Sequence, residues 1–585
     1  MVRQHRVADH IVDCLAAEGV DYIFGVDGAN IEDLYDAAHF RDDITAILAK
    51  HEFSAATMAD GFSRSGSGSG LGVVMATSGG GSLNLVAGLG ESLASQVPVL
   101  ALVGQPPTTM DGRGSFQDTS GRNGSLHAEA LFSALSVYCR RVLAPNDILD
   151  ALPEAIAAAR RGGPAVLLLP KNVQQDSIDV NGVTVDGHIA GLVEAHARAK
   201  LAGDPLPIAR ALRLAEGPVT IIAGGQVARD DARGGLEQLR AVLRARVATV
   251  PEAKDVSGSP GLGSSSALGV TGTMGHPGVA SAVAGSAVCL LVGTRLPVTA
   301  RAGLDDALAG VRTFSIGSAP PYLPCTHIHT DDLRATLKQL THALSGADRP
   351  TGLRVPDPVP RADLMPPSHD GPGVRYRAAM EALDAALPDG VDVVVDAGNT
   401  GAAAIHHLPV RRDGRFVVAL GMGGMGYSFG AGIGMAFARR RRTVIVAGDG
   451  AFYMHGLEVH TALQYQLPVT FVLFNNNAHA MCVTREQLFY DDLYSYNRFR
   501  PSRLGAGLAA MFPDLPAVDV PDIDELPAAL QAALNVDGPS VVSVECSADE
   551  IPPFAPFLAT LAPSTTVPQQ ISVPKETPTD ATARA

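Results

Sequence analysis

The sequence predicts an α/β protein of several domains with mostly parallel sheets, and three observations carry the prediction. Short apolar runs alternate with Ala-rich helical stretches throughout, the pattern of buried strands separated by helices. The text also repeats itself: SQVPVLALVG (95–104) echoes YQLPVTFVLF (465–474), and GGPAVLLLP (162–170) echoes DGPSVVSVE (537–545). Pro98 and Pro164 are 66 residues apart, Pro468 and Pro539 are 71, so order and spacing favour two related α/β domains flanking a third. Finally, 585 residues accommodate three or four domains of ~150 residues.

In chain order, MVRQHRVADHIVDCLAAEGV reads as an amphipathic helix containing Asp13 and Glu18, without the apolar block and cleavage site of a secretory signal. Strand-like ITAILAK runs into the small-residue helix HEFSAATMADGFSR, and GVVMATS into the turn SGGGSLN. VPVLALVG and AVLLLP complete the first set of strands, and a soft break follows near 176–205. VTIIAGG and AVCLLVG belong to the middle of the chain. SGADRPTGLRVPDPVPRADLMPPSHDGPG, about 345–373, reads as an exposed linker. Beyond it come DVVVDAG, TVIVAGDG, PVTFVLFNN and PSVVSVEC, then a Thr/Pro-rich tail from about 563 that is expected to be disordered.

A hydrophobic content of 46% suffices for a sizeable core. The net charge of −15 argues against a general nucleic-acid binder. No apolar run reaches the ~18 residues of a membrane span. Six scattered cysteines without CxxC spacing indicate neither a disulfide framework nor a zinc site. A cytoplasmic protein is expected.

Candidate site residues stand at strand ends, the edge where open α/β sheets bind ligands. Glu52 opens a helix after a strand; alone, it is equally a helix-start acid favoured by the macrodipole. The glycine turns ATSGGGSLN (76–84) and GMGGMG (421–426) suit close backbone approach, a property with many uses. GDG carries more, because Asn476 follows Asp449 by 27 residues at the end of the next strand. A carboxylate, an amide oxygen and a nearby carbonyl form a hard-oxygen set suited to Mg²⁺ or Ca²⁺. A metal with so few protein ligands completes its shell with phosphate oxygens, and the helix after GDG would aim its N–H groups at one. The pattern predicts a diphosphate-bearing cofactor bridged by Mg²⁺.

The GDG-to-NN spacing, the early HE before a small-residue helix, ATSGGGSLNLVAGLGESLASQVPVLALVGQ and GSFQD together resemble thiamine-diphosphate enzymes of the acetolactate synthase group. The resemblance covers roughly residues 5–550 and is weakest between about 190 and 345. It implies three Rossmann-like or flavodoxin-like domains: pyrimidine-binding (1–185), central (190–345) and, after the linker 346–373, diphosphate-binding (374–560), with the tail at 561–585. Glu52 would hydrogen-bond the aminopyrimidine ring and promote the tautomer that takes the thiazolium C2 proton. Ser78 and Asn84 would lie on the pyrimidine side. Met425 would be the apolar wedge that bends the cofactor, and the Gly423 carbonyl would accept from its 4′-amino group. Asp449, Asn476 and the Ala478 carbonyl would hold Mg²⁺. Gly398, Asn399 and Thr400 would contact the diphosphate, with Gly450 and Ala451 beneath it. Glu52 and Asp449 lie in opposite terminal domains, so the resemblance implies a homodimer or homotetramer with active sites between subunits.

Phe116-Gln117 matches the family's Phe-Gln pair near the reacting carbon, and Gly28-Ala29-Asn30 its small-residue loop. No His-His pair of the pyruvate decarboxylase kind occurs in the first domain; His406-His407 lies in the last and is expected to pack a helix. These features favour carboligation of a 2-oxo acid donor such as pyruvate. The acceptor side, Met481, Cys482 and Arg485, departs from the pattern. Synthases carry Trp where Arg485 stands, the chain has no Trp, and Thr299 stands where they carry a middle-domain Arg. The expectation is therefore an acceptor other than a second pyruvate. A non-ligating 2-oxo acid decarboxylase, acetolactate synthase proper and a catalytically silent relative stay open, the last opposed by the retention of Glu52. FAD, which many members bind in the middle domain, is left open, with IIAGGQ and GTMGHPG as the segments that would line its site.

Overall fold

The computed structural model describes residues 5–67, 69–178, 191, 200–257, 267–355 and 361–561. The expected tail from 562 onward, most of the soft break and residues 356–360 of the linker lie outside the described residues.

Three six-stranded sheets organise the described residues. The first holds β1 (Tyr22–Val26), β2 (Thr45–Leu48), β3 (Gly72–Ala76), β4 (Val99–Gln105), β5 (Tyr138–Arg141) and β6 (Pro164–Pro170). The second holds β7 (Val219–Ala223), β8 (Arg246–Thr249), β9 (Ala267–Val270), β10 (Val288–Val292), β11 (Arg312–Gly317) and β12 (Thr326–His329). The third holds β13 (Asp392–Val395), β14 (Phe416–Val418), β15 (Thr443–Gly448), β16 (Val469–Asn475), β17 (Ala517–Val520) and β18 (Ser540–Glu545). All pair in parallel. Strands such as β4 and β6 are buried along their whole length because helices cover both faces, which is why they read as unbroken apolar runs.

The first sheet has the order β2-β1-β3-β4-β6-β5 and the third β14-β13-β15-β16-β18-β17, the same order counted from each sheet's own first strand. The echoed segments are β4 and β6 in one and β16 and β18 in the other, neighbours in both, with Val99 opposite Pro164 and Thr470 opposite Ser540. The middle sheet runs β12-β11-β10-β7-β8-β9, a doubly wound order that reverses between β7 and β10.

The helices after the equivalent strands β2 and β14, Glu52–Arg64 and Tyr427–Arg439, pack directly on each other. Glycine permits the approach. A Cβ on Gly61 would lie 2.0 Å from the Ala431 carbonyl oxygen, and one on Gly434 2.0 Å from that of Met58. Buried polar groups lock the crossing: Tyr427 donates to Asp60, which also accepts from Arg64 Nε at 2.6 Å and Ser92 Oγ at 2.7 Å. One buried apolar cluster joins Phe24, Met58 and Phe62 to Phe429, Ile433 and Phe471 across the two outer sheets, whereas the middle sheet has a cluster of its own.

His406 pins three parts of the chain. Its Nδ1 lies 3.0 Å from the Met274 carbonyl oxygen, and its Nε2 accepts from the Leu364 N–H at 3.0 Å. Among the described residues no helix is long and apolar enough to cross a membrane, and all six cysteines are free.

Candidate cofactor site

Asp449 stands directly after β15 and is 1% exposed. One carboxylate oxygen accepts from the Gly450 N–H at 3.0 Å and the other from the Ala478 N–H at 3.2 Å. Burial nevertheless pushes its pKa up to about 7, because two neutral donors do not replace lost hydration. A cation beside it would hold the charge. The three amides after β16 divide their work. Asn475 donates through its NH₂ to the Ser502 carbonyl and to Glu545, which ties the strand end while its own amide oxygen stays buried without a partner, and Asn477, at φ 53°, accepts from the Ser502 N–H. Asn476 donates weakly to the Tyr376 hydroxyl at 3.3 Å, leaving its amide oxygen buried and unpartnered. Asn399, which opens the helix after β13, has an unpartnered buried oxygen too. A buried carboxylate and lone amide oxygens at adjoining strand ends fit a hard cation such as Mg²⁺.

The loop after β14 is braced at both ends. The Gly421 and Met422 N–H groups donate to Glu91 of the helix Val86–Ala94, and those of Gly426 and Ser428 donate to Asp396 at 3.0 and 2.9 Å. Gly423 has φ 65° and open space where a side chain would stand. A Cβ on Gly450 would lie 3.1 Å from the Met425 methyl and 2.5 Å from the His479 ring. Met425, Gly450, Ala451, Asp449, Asn476 and Ala478 thus share one corner, with Gly398, Asn399 and Thr400 at the end of the neighbouring β13.

A second group lies at the corresponding edge of the first sheet. Glu52 accepts from Asn84 Nδ2 at 2.9 Å, and a Cβ on Gly81 would lie 3.0 Å from its other oxygen. Asn30 donates to Ser78 at 2.7 Å, and Ser78 and Thr77 donate to the Gln117 amide oxygen at 3.2 and 3.3 Å. Gly28 packs on Thr77, and the Ala29 carbonyl accepts from Lys171. Phe116 is 75% exposed. Met481 and Cys482 are half-buried on the helix Ala480–Phe489, where Arg485 is exposed and, among the described residues, has no hydrogen bond or ion pair. The hydrogen bond of Glu52 goes to its own domain.

Glu91, Asp396, Tyr376 and His479 were missed by the sequence reading. Only Asp396 had a signal: VVVDAGN places an acid at a strand end as GDG does. His276, Asp363 and His406 converge with potential ligand atoms within 4.8 Å, yet the ring lone pairs are engaged. His276 Nδ1 accepts from the Val270 N–H, its Nε2 stays buried without a hydrogen bond 4.0 Å from Asp363, and burial pushes the imidazole pKa down to about 2.

A cavity of about 940 Å³ lies where the middle sheet's order reverses. Gly225 and Gln226 of IIAGGQ line it, with Gly293, Thr294, Arg229 and Arg415. GTMGHPG does not; Gly272 and Gly275 are spent on tight backbone turns, within 2.0 to 2.4 Å of backbone atoms had they a Cβ.

Residues 5–124 match the family described as "Thiamine pyrophosphate enzyme, N-terminal TPP binding domain", and residues 396–544 the corresponding "C-terminal TPP binding domain". These are the two cofactor-binding halves of a thiamine-diphosphate enzyme. The chain is similar to the "Probable acetolactate synthase large subunit" of Methanocaldococcus jannaschii, at 28% identity over 94% of this chain and 93% of that one. It is similar also to the Escherichia coli isozyme 2 large subunit, at 27% over 93% and 96%, and to Brassica napus chloroplastic acetolactate synthase 3, at 26% over 93% and 84%. The protein is thus a thiamine-diphosphate-binding enzyme by its two outer domains, and it resembles acetolactate synthase large subunits over nearly its whole length.

Proposed function

We propose that the protein transfers the two-carbon unit of pyruvate to a second 2-oxo acid, as an acetolactate synthase does. The observation that carries this reading is the match of the chain, nearly end to end, to proteins named acetolactate synthase large subunits. Bound thiamine diphosphate supplies the electron sink that lets a 2-oxo acid lose CO₂ and its acyl unit join an acceptor. Asp449, Asn476 and the Ala478 carbonyl hold Mg²⁺, a role supported by the buried carboxylate and the unpartnered amide oxygen. Gly450, Ala451, Gly398, Asn399 and Thr400 would hold the diphosphate; Met425 would pack against the cofactor between its two rings, and the Gly423 carbonyl would accept from its 4′-amino group. Glu52 of one subunit meets the pyrimidine held by another, and Ser78, Asn84, Gly28, Ala29, Phe116 and Gln117 line that side. A homodimer is the smallest assembly that completes the site, and a homotetramer contains it.

A second reading, in which the acceptor is not a second pyruvate, is favoured by the absence of the synthases' Trp and middle-domain Arg, with Arg485 free to pair with an anionic group of the acceptor. An exposed, unpaired guanidinium one helical turn from Met481 replaces the synthases' Trp, and Thr299 replaces an Arg. It is tested together with the first. The purified protein is given thiamine diphosphate, Mg²⁺ and pyruvate, then a panel of aldehydes and ketones, and CO₂ and products are followed by mass spectrometry. Acetolactate from pyruvate alone establishes the first reading. A mixed product that forms only with an added acceptor, and an Arg485→Ala variant that loses ligation while keeping CO₂ release, establishes the second. Free aldehyde with no ligation refutes both. The cavity has room for FAD, although its Arg229 and Arg415 are engaged by Asp230, Gln96 and Ser318 and by Asp255; flavin absorbance in the purified protein checks this.

A further inference from the structure

The loop that carries Gly423 and Met425 contains four glycines, and residues 421–423 are exposed. Such a segment has wide backbone freedom and does not by itself hold a carbonyl in one direction. Its C-terminal end is fixed from within its own domain by Asp396. Its N-terminal end is fixed by a residue of the other cofactor-binding domain. Glu91 is 3% exposed, accepts from the Met422 N–H at 2.6 Å through one oxygen and from the Gly421 N–H at 3.2 Å through the other. The second oxygen also accepts from Ser95 Oγ at 2.6 Å and Arg64 at 3.4 Å. The approach depends on glycine, because a Cβ on Gly421 would lie 2.7 Å from that of Ala94 and 3.1 Å from the Glu91 carboxylate.

We propose that Glu91 is a positioning residue for cofactor recognition: by gripping two successive N–H groups it turns the loop so that the Gly423 carbonyl faces the 4′-amino group. The proposal rests on the cofactor reading above. It asks more of Glu91 than interdomain adhesion, which Asp60, Tyr427 and the glycine crossing already provide. Replacing one carboxylate oxygen by an NH₂ group sets a donor against the donors it now satisfies, so Glu91→Gln frees one end of the loop without removing bulk.

The test uses the full-length protein with Mg²⁺ and measures dissociation constants for thiamine diphosphate and for its analogue lacking the 4′-amino group. In the wild type the analogue binds more weakly. Glu91→Gln is expected to weaken thiamine diphosphate about tenfold, the scale of a lost hydrogen bond to a charged group, and to leave the analogue nearly unaffected, so that the preference collapses. Ser95→Ala, which removes only a bond steadying the carboxylate, is expected to shift the ratio about twofold in the same direction and keeps the proposal testable if Glu91→Gln folds poorly. Equal weakening of both ligands, or none, overturns it and assigns Glu91 to structure. A wild type that binds neither ligand overturns the cofactor reading itself, an outcome separate from an unchanged ratio.

Discussion

The first and third sheets share a strand order and differ in what stands at their strand ends. After β15 and β16 come Asp449 and Asn476, a carboxylate and an unpartnered amide oxygen. After the equivalent β3 come Thr77, Ser78 and three glycines, and β4 ends on Gln105, whose oxygen is taken by Thr119. One framework therefore offers a hard-oxygen edge suited to a cation and phosphates. Its counterpart offers an edge of hydroxyls and bare backbone, with Asp27 directly after β1, where it accepts from the Gly28 N–H at 2.7 Å, and Glu52 at the helix after β2. Topology chooses where ligands meet the sheet; residues at three strand ends choose which half of a ligand is met.

Removing the acid from the third sheet is the most severe way to erase that difference. Asp449→Ala is expected to lower Mg²⁺-dependent affinity for thiamine diphosphate by ~10³-fold or more, since two phosphates would face a weakened metal site. Calorimetric titration with and without chelator checks it; unchanged, chelator-indifferent affinity removes Asp449 from the metal site. Gly61→Val attacks what the two halves share. Its Cβ would be 2.0 Å from a carbonyl oxygen that belongs to a packed helix, so a stability loss of ~3 kcal/mol or more is expected in urea unfolding. A midpoint equal to wild type would mean that the helices are not in contact in solution.

Glu52→Gln sharpens the comparison from the first sheet's side. It keeps size and much of the hydrogen bonding but cannot exchange a proton in the same way. Cofactor and Mg²⁺ are expected to bind, while exchange of the cofactor's C2 hydrogen and turnover fall by ~10²-fold. Exchange at the wild-type rate would reduce Glu52 to a helix-start acid.

The smallest effect concerns His455, where the two domains touch near these edges. It stacks on Phe53 at 4.2 Å and lies 5.0 Å from His51. Burial, then the neighbouring His51, pushes its pKa down to about 4. The folded protein therefore binds fewer protons here than the unfolded chain, whose His titrates near ~6.5, so stability falls as pH drops from about 7 toward 4. Between pH 7.5 and 5 the wild type is expected to lose about 1–2 kcal/mol more than His455→Gln, read from urea midpoints at both values. Buried carboxyls with raised pKa, such as Glu550, act in the opposite sense in both proteins and cancel in the comparison.

The kinship of the outer sheets was legible as an echo because buried parallel strands are apolar on both faces and keep their spacing; their strand order was not. The placement of Asp449 and Asn476 at adjoining strand ends was legible because an acid and amides directly follow apolar strands. The division of labour among Asn475, Asn476 and Asn477 was not, since all three are turn formers and only the positions of Ser502, Glu545 and Tyr376 separate them. Glu91 looked like one polar residue in an Ala/Gly helix; its work depends on backbone groups 330 residues away. Periodicity reports burial and leaves partners open.

The glycine crossing between the Glu52–Arg64 and Tyr427–Arg439 helices bears on gene architecture. The first and third sheets share a buried core, so the connecting peptide is not what keeps them together. A coding sequence split within the linker would yield two polypeptides that already own a mutual interface through which they could reassemble.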